Sequence, residues 1–297
     1  MNYSFDWVDA FTTQPFGGNG CVVVYEAAAL SIEERLALVR ETSLSECAYL
    51  IGSDVADFGV RYYLADKEIP MAGHPTIATV ASLLDRGVIP LAFGRADFTL
   101  EVGAGVMAIA VETTDAGALI TMTQAAPEFG QQHDPAFIAE MYGLQVDDVV
   151  GIPQTVSTGT PFCITVLRSK DALRRAVLNR DKLQEFRSID SHPLSQMMEP
   201  FLVTLGGETQ SGDTFSRLLL APPSTAEDPF TGSATGCMGA YLWRHGLIAE
   251  PKFVAEQGHW MGRPGQGYVE ALGPRDAITG IRVGGMGRVI MRGELTL

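Results

Sequence analysis

The apolar and polar positions of the first twenty-five residues predict strands around a turn. Segment 5–25 reads as strand, glycine-rich turn, strand: Asp9-Ala10-Phe11-Thr12 leads into Pro15-Phe16-Gly17-Gly18-Asn19-Gly20, and the β-branched run Cys21-Val22-Val23-Val24 follows. The period then changes. Ser31 with Glu34 three residues on forms a capping box, and Ile32, Leu36 and Val39 share one helical face, which predicts a helix. Beyond the polar stretch Thr42-Ser43-Leu44-Ser45, the apolar run 47–51 reads as a strand, so Glu46 stands where a loop enters that strand. Residues 60–64 predict another strand. A second helix is expected over about 75–86, with proline at its first position and Gly87 just past its end. Segments 98–102, 107–112 and 118–123 read as short strands joined by glycine turns. Segment 125–135, with two prolines, reads as a linker, after which the mixed pattern begins again.

That second beginning is a repeat. Residues 68–89 lie over 227–248 without a gap, with identities at Glu68/Glu227, Pro70/Pro229, Gly73/Gly232, Thr76/Thr235, Ala81/Ala240, Leu83/Leu242, Gly87/Gly246 and Ile89/Ile248. Upstream, Arg61-Tyr62-Tyr63-Leu64-Ala65 parallels Arg217-Leu218-Leu219-Leu220-Ala221. Each half carries strand, charged loop, glycine-containing turn and a helix of matched length. A pseudo-symmetric protein of two mixed α/β domains is expected.

Composition narrows the function. The 297 residues suffice for one large core or two medium ones, and no apolar run approaches the ~18 residues of a membrane span. The N-terminus lacks the basic and apolar regions of a signal peptide, so a cytoplasmic protein is expected. A formal net charge of −14, with no basic cluster longer than Arg174-Arg175, argues against a nucleic-acid partner. It does not argue against a small anionic substrate, because helix ends set the field inside a pocket. Four scattered cysteines (Cys21, Cys47, Cys163, Cys237) imply reduced thiols rather than disulfides or a zinc ribbon. The five histidines (His74, His133, His192, His245, His259) lack metal-binding spacing, so no metal is expected. Gly103-Ala104-Gly105-Val106-Met107-Ala108 nominally fits a dinucleotide fingerprint, but its neighbours read as strands and no helix follows it.

Functional residue types gather in three loops: 43–47, 71–76 and 227–234. The last two open the matched helices, where glycines let backbone N–H groups approach a ligand and the helix N-terminus carries about half a positive charge. Two such ends facing one cleft would hold a carboxylate and stabilise enolate-like charge. Each residue also has a plainer reading. Glu46 would be a solvated glutamate, Asp228 the start of an Asp-Pro turn, Ser233 a helix N-cap, and His74 a cap or a partner for a loop carbonyl.

Together these segments resemble the phenazine-biosynthesis PhzF-like isomerase family, within the diaminopimelate-epimerase-like fold. The resemblance rests on Asp9-Ala10-Phe11-Thr12 with Pro15-Phe16-Gly17-Gly18-Asn19, on Leu44-Ser45-Glu46, and on Ile69-Pro70-Met71-Ala72-Gly73-His74-Pro75-Thr76. It extends through Ser157-Thr158-Gly159, Glu227 to Ala234, Glu256-Gln257-Gly258 and Met261-Gly262-Arg263-Pro264. It implies two pseudo-symmetric domains, each a mixed barrel-like sheet around a central helix, comprising 1–124 plus 285–297 and 125–284, with the active site between them. It further implies a homodimer whose last strand returns to the first domain. Glu46, Asp228 and His74 would be catalytic, and Gly73, Gly232 and Ser233 would bind substrate. The reaction expected is a cofactor-free allylic proton shift on a small carboxylic acid, as on trans-2,3-dihydro-3-hydroxyanthranilate. An amino-acid racemase or epimerase and a non-catalytic small-molecule-binding or interaction protein are the alternatives. A two-thiol racemase is disfavoured, since neither helix-opening loop holds a cysteine. Three departures from the family pattern bear on the pocket: Cys47, Gly20 and Phe230. A ring beside Asp228 is expected to reshape the pocket.

Overall fold

The computed structural model describes residues 1–189, 199–222 and 224–297; His192 lies outside them. Its first half contains β1 (Asn2–Ala10), β2 (Asn19–Val24), α1 (Ile32–Thr42), β3 (Cys47–Ile51), β4 (Phe58–Tyr63), β5 (Glu68–Ile69), α2 (Gly73–Asp85), β6 (Arg95–Val102), β7 (Gly105–Thr114) and β8 (Gly117–Gln124). The second contains β9 (Glu128–Gln132), α3 (Pro135–Met141), β10 (Val149–Ser157), β11 (Pro161–Leu167), α4 (Lys170–Arg175), α5 (Arg180–Ile189), β12 (Pro200–Leu205), β13 (Thr214–Leu219) and β14 (Glu227–Asp228). It continues through α6 (Gly232–Arg244), β15 (Lys252–Gln257), β16 (Gly265–Leu272) and β17 (Gly280–Gly285), and the chain closes with β18 (Gly287–Thr296).

Strand pairing repeats along the chain. In the first half β1 pairs antiparallel with β2, β2 runs parallel to β3, β3 pairs antiparallel with β4, β4 runs parallel to β6, and β6–β7–β8 form a meander. In the second half β10, β11, β12, β13, β15, β16 and β17 pair in the same order and the same senses. β18 pairs with β1 as β9 pairs with β10, and β8 pairs with β17 to join the two halves. The fold is thus mixed α/β, each half a barrel-like sheet around one helix. α2 packs on β1, β2, β3, β8 and β18, and α6 on β10, β11, β16 and β17.

Why these two helices sit inside follows from their composition. Residues 73–83 and 232–242 are all buried, and most are Ala, Gly, Thr, Ser or aliphatic, so no face carries a charge that must reach water. Buried hydroxyls bond back one turn instead, as Thr76 does to the Ala72 carbonyl and Thr235 to that of Thr231. By contrast α1 lies outside and has the capping box expected of Ser31 and Glu34.

Two expectations are corrected. The proline-flanked linker contains β9, whose residues 128, 129 and 132 pair with Ser157, Val156 and Gln154. Its prolines lie outside the strand, where no ladder N–H is lost. α2 begins at Gly73 rather than at Pro75, which sits inside the first turn, where its missing N–H costs nothing. Segment 103–108 falls among strands, as read from the sequence: Gly103 and Ala104 form the β6–β7 hairpin turn, with Val102 opposite Gly105.

Candidate active site

The two central helices meet at their N-termini. A Cβ on Gly73 would fall 2.5 Å from the Gly232 Cα and 2.6 Å from the Ser233 nitrogen, so only glycine permits this backbone contact. Neither helix has a side-chain cap: Ala72 and Thr231 hold the N-cap positions, and Ser233 lies inside the helix. Two first turns with uncapped N–H groups therefore open side by side.

Asn19, at the start of β2, links both helix starts. Its amide nitrogen lies 2.9 Å from Asp228 Oδ1, 2.9 Å from the Phe230 carbonyl and 3.1 Å from His74 Nδ1. Asp228 and Phe230 offer only acceptors there, which fixes the amide with its NH2 inward; His74 Nδ1 then accepts, and its proton resides on Nε2. The Thr231 hydroxyl donates to Asp228 Oδ2 at 2.6 Å, and Gln257 donates to the Asp228 carbonyl at 2.7 Å while accepting from Thr231 N at 3.0 Å. Arg263 reaches from the opposite side of the turn to Asp9 Oδ1 and the carbonyls of Gly17 and Gly18.

Electrostatics separate the titratable groups. Burial, then the Asp228 charge, push Glu46 well above the usual carboxylate range. Burial raises Asp228 to about 6 against the hydrogen bonds from Thr231 and Asn19. Burial and the Arg263 charge lower His74 to about 3. His74 Nδ1 lies 3.6 Å from Glu46 Oε2, so this is a neutral ring beside a carboxyl, not an ion pair. Burial thus favours the protonated form of Glu46, while at neutral pH His74 is uncharged and Asp228 is mostly ionised. Glu46 is not in bulk water: its side chain is 18% exposed. Ser45 Oγ, Glu46 Oε2 and His74 Nε2 are buried polar atoms without hydrogen-bond partners, a cluster suited to a polar ligand.

A cavity of about 200 Å³ opens beside these groups. Glu46, Asp228 and Ser233 line it; Gly73 and Gly232 adjoin Ser233, and His74 lies beside Glu46. A larger hollow of about 510 Å³ lies elsewhere, along β15, β16 and β8. The structure therefore brings all six expected site residues to one place. It adds Asn19, Ser45, Thr231, Gln257 and Arg263, which sit in the motifs that carried the resemblance. Among the described residues no group of three His, Cys, Asp or Glu could hold a metal ion, and no helix is long and apolar enough to cross a membrane.

Comparison with known proteins shows the family and the fold. The family described as phenazine biosynthesis-like protein (PhzC-PhzF) matches residues 8–293. The chain belongs to that family. Its relatives include the uncharacterized isomerase YddE of Escherichia coli O157:H7, 32% identical over 87% of this chain and 86% of that one. Another is the trans-2,3-dihydro-3-hydroxyanthranilate isomerase of Pseudomonas aeruginosa, 25% identical over 98% of both. Among solved structures, a PhzF-family protein of Bacillus anthracis aligns over the full length of both chains with a TM-score of 0.85 and 25% identity. A hydroxyproline epimerase of Agrobacterium vitis shares the fold, with a TM-score of 0.67 over 100% of this chain and 93% of that one, at 14% identity.

The three departures from the PhzF pattern leave the cavity untouched, which corrects the expectation for Phe230. Its ring is fully buried and turns away from the cavity, stacking on Phe11 with centroids 4.1 Å apart. Gly265 and Gly267 leave it room, since a Cβ there would fall 2.6 and 2.9 Å from the ring. Cys47 points to the other face of β3, against Thr42, and burial pushes its thiol up to about 12. Gly20 faces Trp7 and Leu44. Cys237, bonded to Thr158 and the Thr160 carbonyl, is raised by burial to about 11. All four cysteines are buried, and none lines the cavity.

Proposed function

We propose that this chain is a cofactor-free isomerase that moves a proton on a small carboxylic acid by an allylic shift, with Glu46 as its acid/base. The observation that carries the reading is a Glu46 carboxyl held toward its protonated form in the same cavity as Asp228 and the open first turn of α6. A carboxyl shifted toward neutrality exchanges protons in both directions near pH 7, and acid–base assistance of this kind is worth about 10²–10⁴-fold. Ser233 and the N–H groups at Gly73 and Gly232 receive the substrate carboxylate. As the C–H bond breaks, charge flows into that carboxylate, and the paired helix ends stabilise it. Asp228 and His74 complete the catalytic set: Asp228 sets the proton affinity of Glu46, and His74 supports its carboxyl from behind. The sequence similarity to trans-2,3-dihydro-3-hydroxyanthranilate isomerase favours an unsaturated cyclic acid. The lack of a thiol at the cavity disfavours the two-thiol epimerase alternative. The cleft is read as lying between units 1–124 plus 285–297 and 125–284, in keeping with β18 on β1 and β9 on β10.

The test is incubation with a panel of cyclic unsaturated and amino carboxylic acids in D2O, watched for new carbon-bound deuterium. The native protein is expected to label at least one acid, with or without a chelator, and Glu46→Gln to lose the labelling while still binding that acid. Undiminished labelling by the variant defeats the mechanism.

A further inference from the structure

The strand registers carry the repeat beyond the two helices. The gap-free helix overlay makes Glu68 equivalent to Glu227. β4 sets Tyr63 opposite Glu68, and β13 sets Leu219 opposite Glu227, so Tyr63 and Leu219 are equivalent. β3 sets Cys47 opposite Tyr63. The β12–β13 register, Leu202 opposite Arg217, sets Pro200 opposite Leu219 when extended by two residues. Cys47 and Pro200 are therefore equivalent, and the residues just before them are Glu46 and Glu199. Val22 opposite Cys47 and Cys163 opposite Pro200 carry the same operation from Asn19 to Thr160. The hydrogen bonds agree: Asn19 donates to the carbonyl of Phe230, and Thr160 donates to that of Met71, the residue equivalent to Phe230.

Glu199 lines the same cavity as Glu46. Its side chain is 14% exposed and accepts a bond from Arg187, which also lines the cavity. We propose that Glu199 is a second proton-transfer group of this cavity, supplied by the other half of the repeat and acting on the substrate together with Glu46. The proposal rests on the isomerase reading above. In the resting site Glu46 carries a proton and Glu199 is paired with the Arg187 guanidinium. Ionised Glu199 removes a proton from one carbon. The C–H electrons shift through the double bond, and Glu46 gives its proton to the far carbon as the new C–H bond forms. The substrate is isomerised without change of oxidation level. The protein is left with Glu199 protonated and Glu46 ionised, and a proton passing back through solvent resets it. A carboxylate present only to satisfy Arg187 would be held low by that partner. Instead burial raises Glu199 to about 7, against the lowering effects of Arg187 and Lys67 and with a further push from Asp228.

The experiment compares Glu199→Gln with Glu46→Gln in the D2O assay, on whichever panel acid the native protein labels. Glu199→Gln is expected to slow labelling by at least about 100-fold while that acid still binds. Arg187→Met, which keeps the carboxyl but removes its counter-ion, is expected to move the pH optimum upward, a shift that a purely structural pair would not produce. If Glu46→Gln abolishes labelling and Glu199→Gln keeps it within twofold, the role of Glu199 is overturned and the isomerase reading stands. If Glu46→Gln labels at the native rate, the isomerase reading itself fails. Should no acid be labelled, ¹³C titration of glutamate carboxyls in the native protein decides. A Glu199 midpoint near neutrality supports the proposal, and one in the ordinary glutamate range overturns it.

Discussion

The two halves of the molecule share strand order, helix length, an uncapped helix start and a glutamate before the equivalent strand, yet they differ at several positions around the cleft. Where the first half has His74 the second has Ser233; Ile69 is matched by Asp228, and Asn19 by Thr160. Met71 lines the cavity, whereas its counterpart Phe230 is buried in a stack. The shared features belong to the backbone: glycine contact, open N–H groups, and strands wrapped around a buried helix. Apart from the Glu46/Glu199 pair, the differing features are side chains around the cleft. A repeated scaffold thus supplies anion-binding geometry twice, and substitutions on it divide the chemical roles.

The comparison can be broken or sharpened at equivalent pairs. Phe230→Ala is expected to cost about 3–5 kcal/mol of stability without altering which acids bind, whereas Met71→Ala changes ligand selectivity; altered selectivity in the Phe230 variant would contradict the placement of its ring. Asp228→Asn should slow proton exchange by about 100-fold and shift the limb set by Glu46 to lower pH. The sign follows because the Asp228 charge raises Glu46, so removing that charge lets Glu46 ionise at lower pH. A limb that stays fixed or moves up would sever that link. Gly73→Ala should destabilise by about 1–3 kcal/mol, and Gly232→Ala by less. The first Cβ meets backbone at 2.5 Å; the second meets the Phe11 ring at 2.8 Å. Asn19→Ala should cost about 1–3 kcal/mol by stranding buried acceptors, and Thr160→Val less, since its bond to Met71 is a single one of 3.4 Å. Melting curves read both pairs.

Much of this was legible in the sequence, for identifiable reasons. The capping box at Ser31, the two matched helices and the position of Glu46 before β3 are local features, and local patterns carry them. The overlay of 61–65 on 217–221 and of 68–89 on 227–248 falls in the register that strand pairing gives. Asn19 was quoted as part of a turn motif but not as a bridge. Its partners lie 55, 209 and 211 residues away, beyond any local signal. The direction of Phe230 depended on glycines at 265 and 267, on a strand with no neighbouring sequence to announce it. β9 was hidden because its flanking prolines and polar residues read as a linker, and only β10 alongside it makes it a strand.

The most direct measurement of the central claim is the infrared carboxyl spectrum of the ligand-free protein at pH 7, taken as the difference between native protein and Glu46→Gln. A band of a buried, protonated carboxyl that vanishes in the variant is predicted. A difference spectrum holding only an ionised carboxylate would mean that Glu46 is an ordinary surface acid, and the account would be wrong.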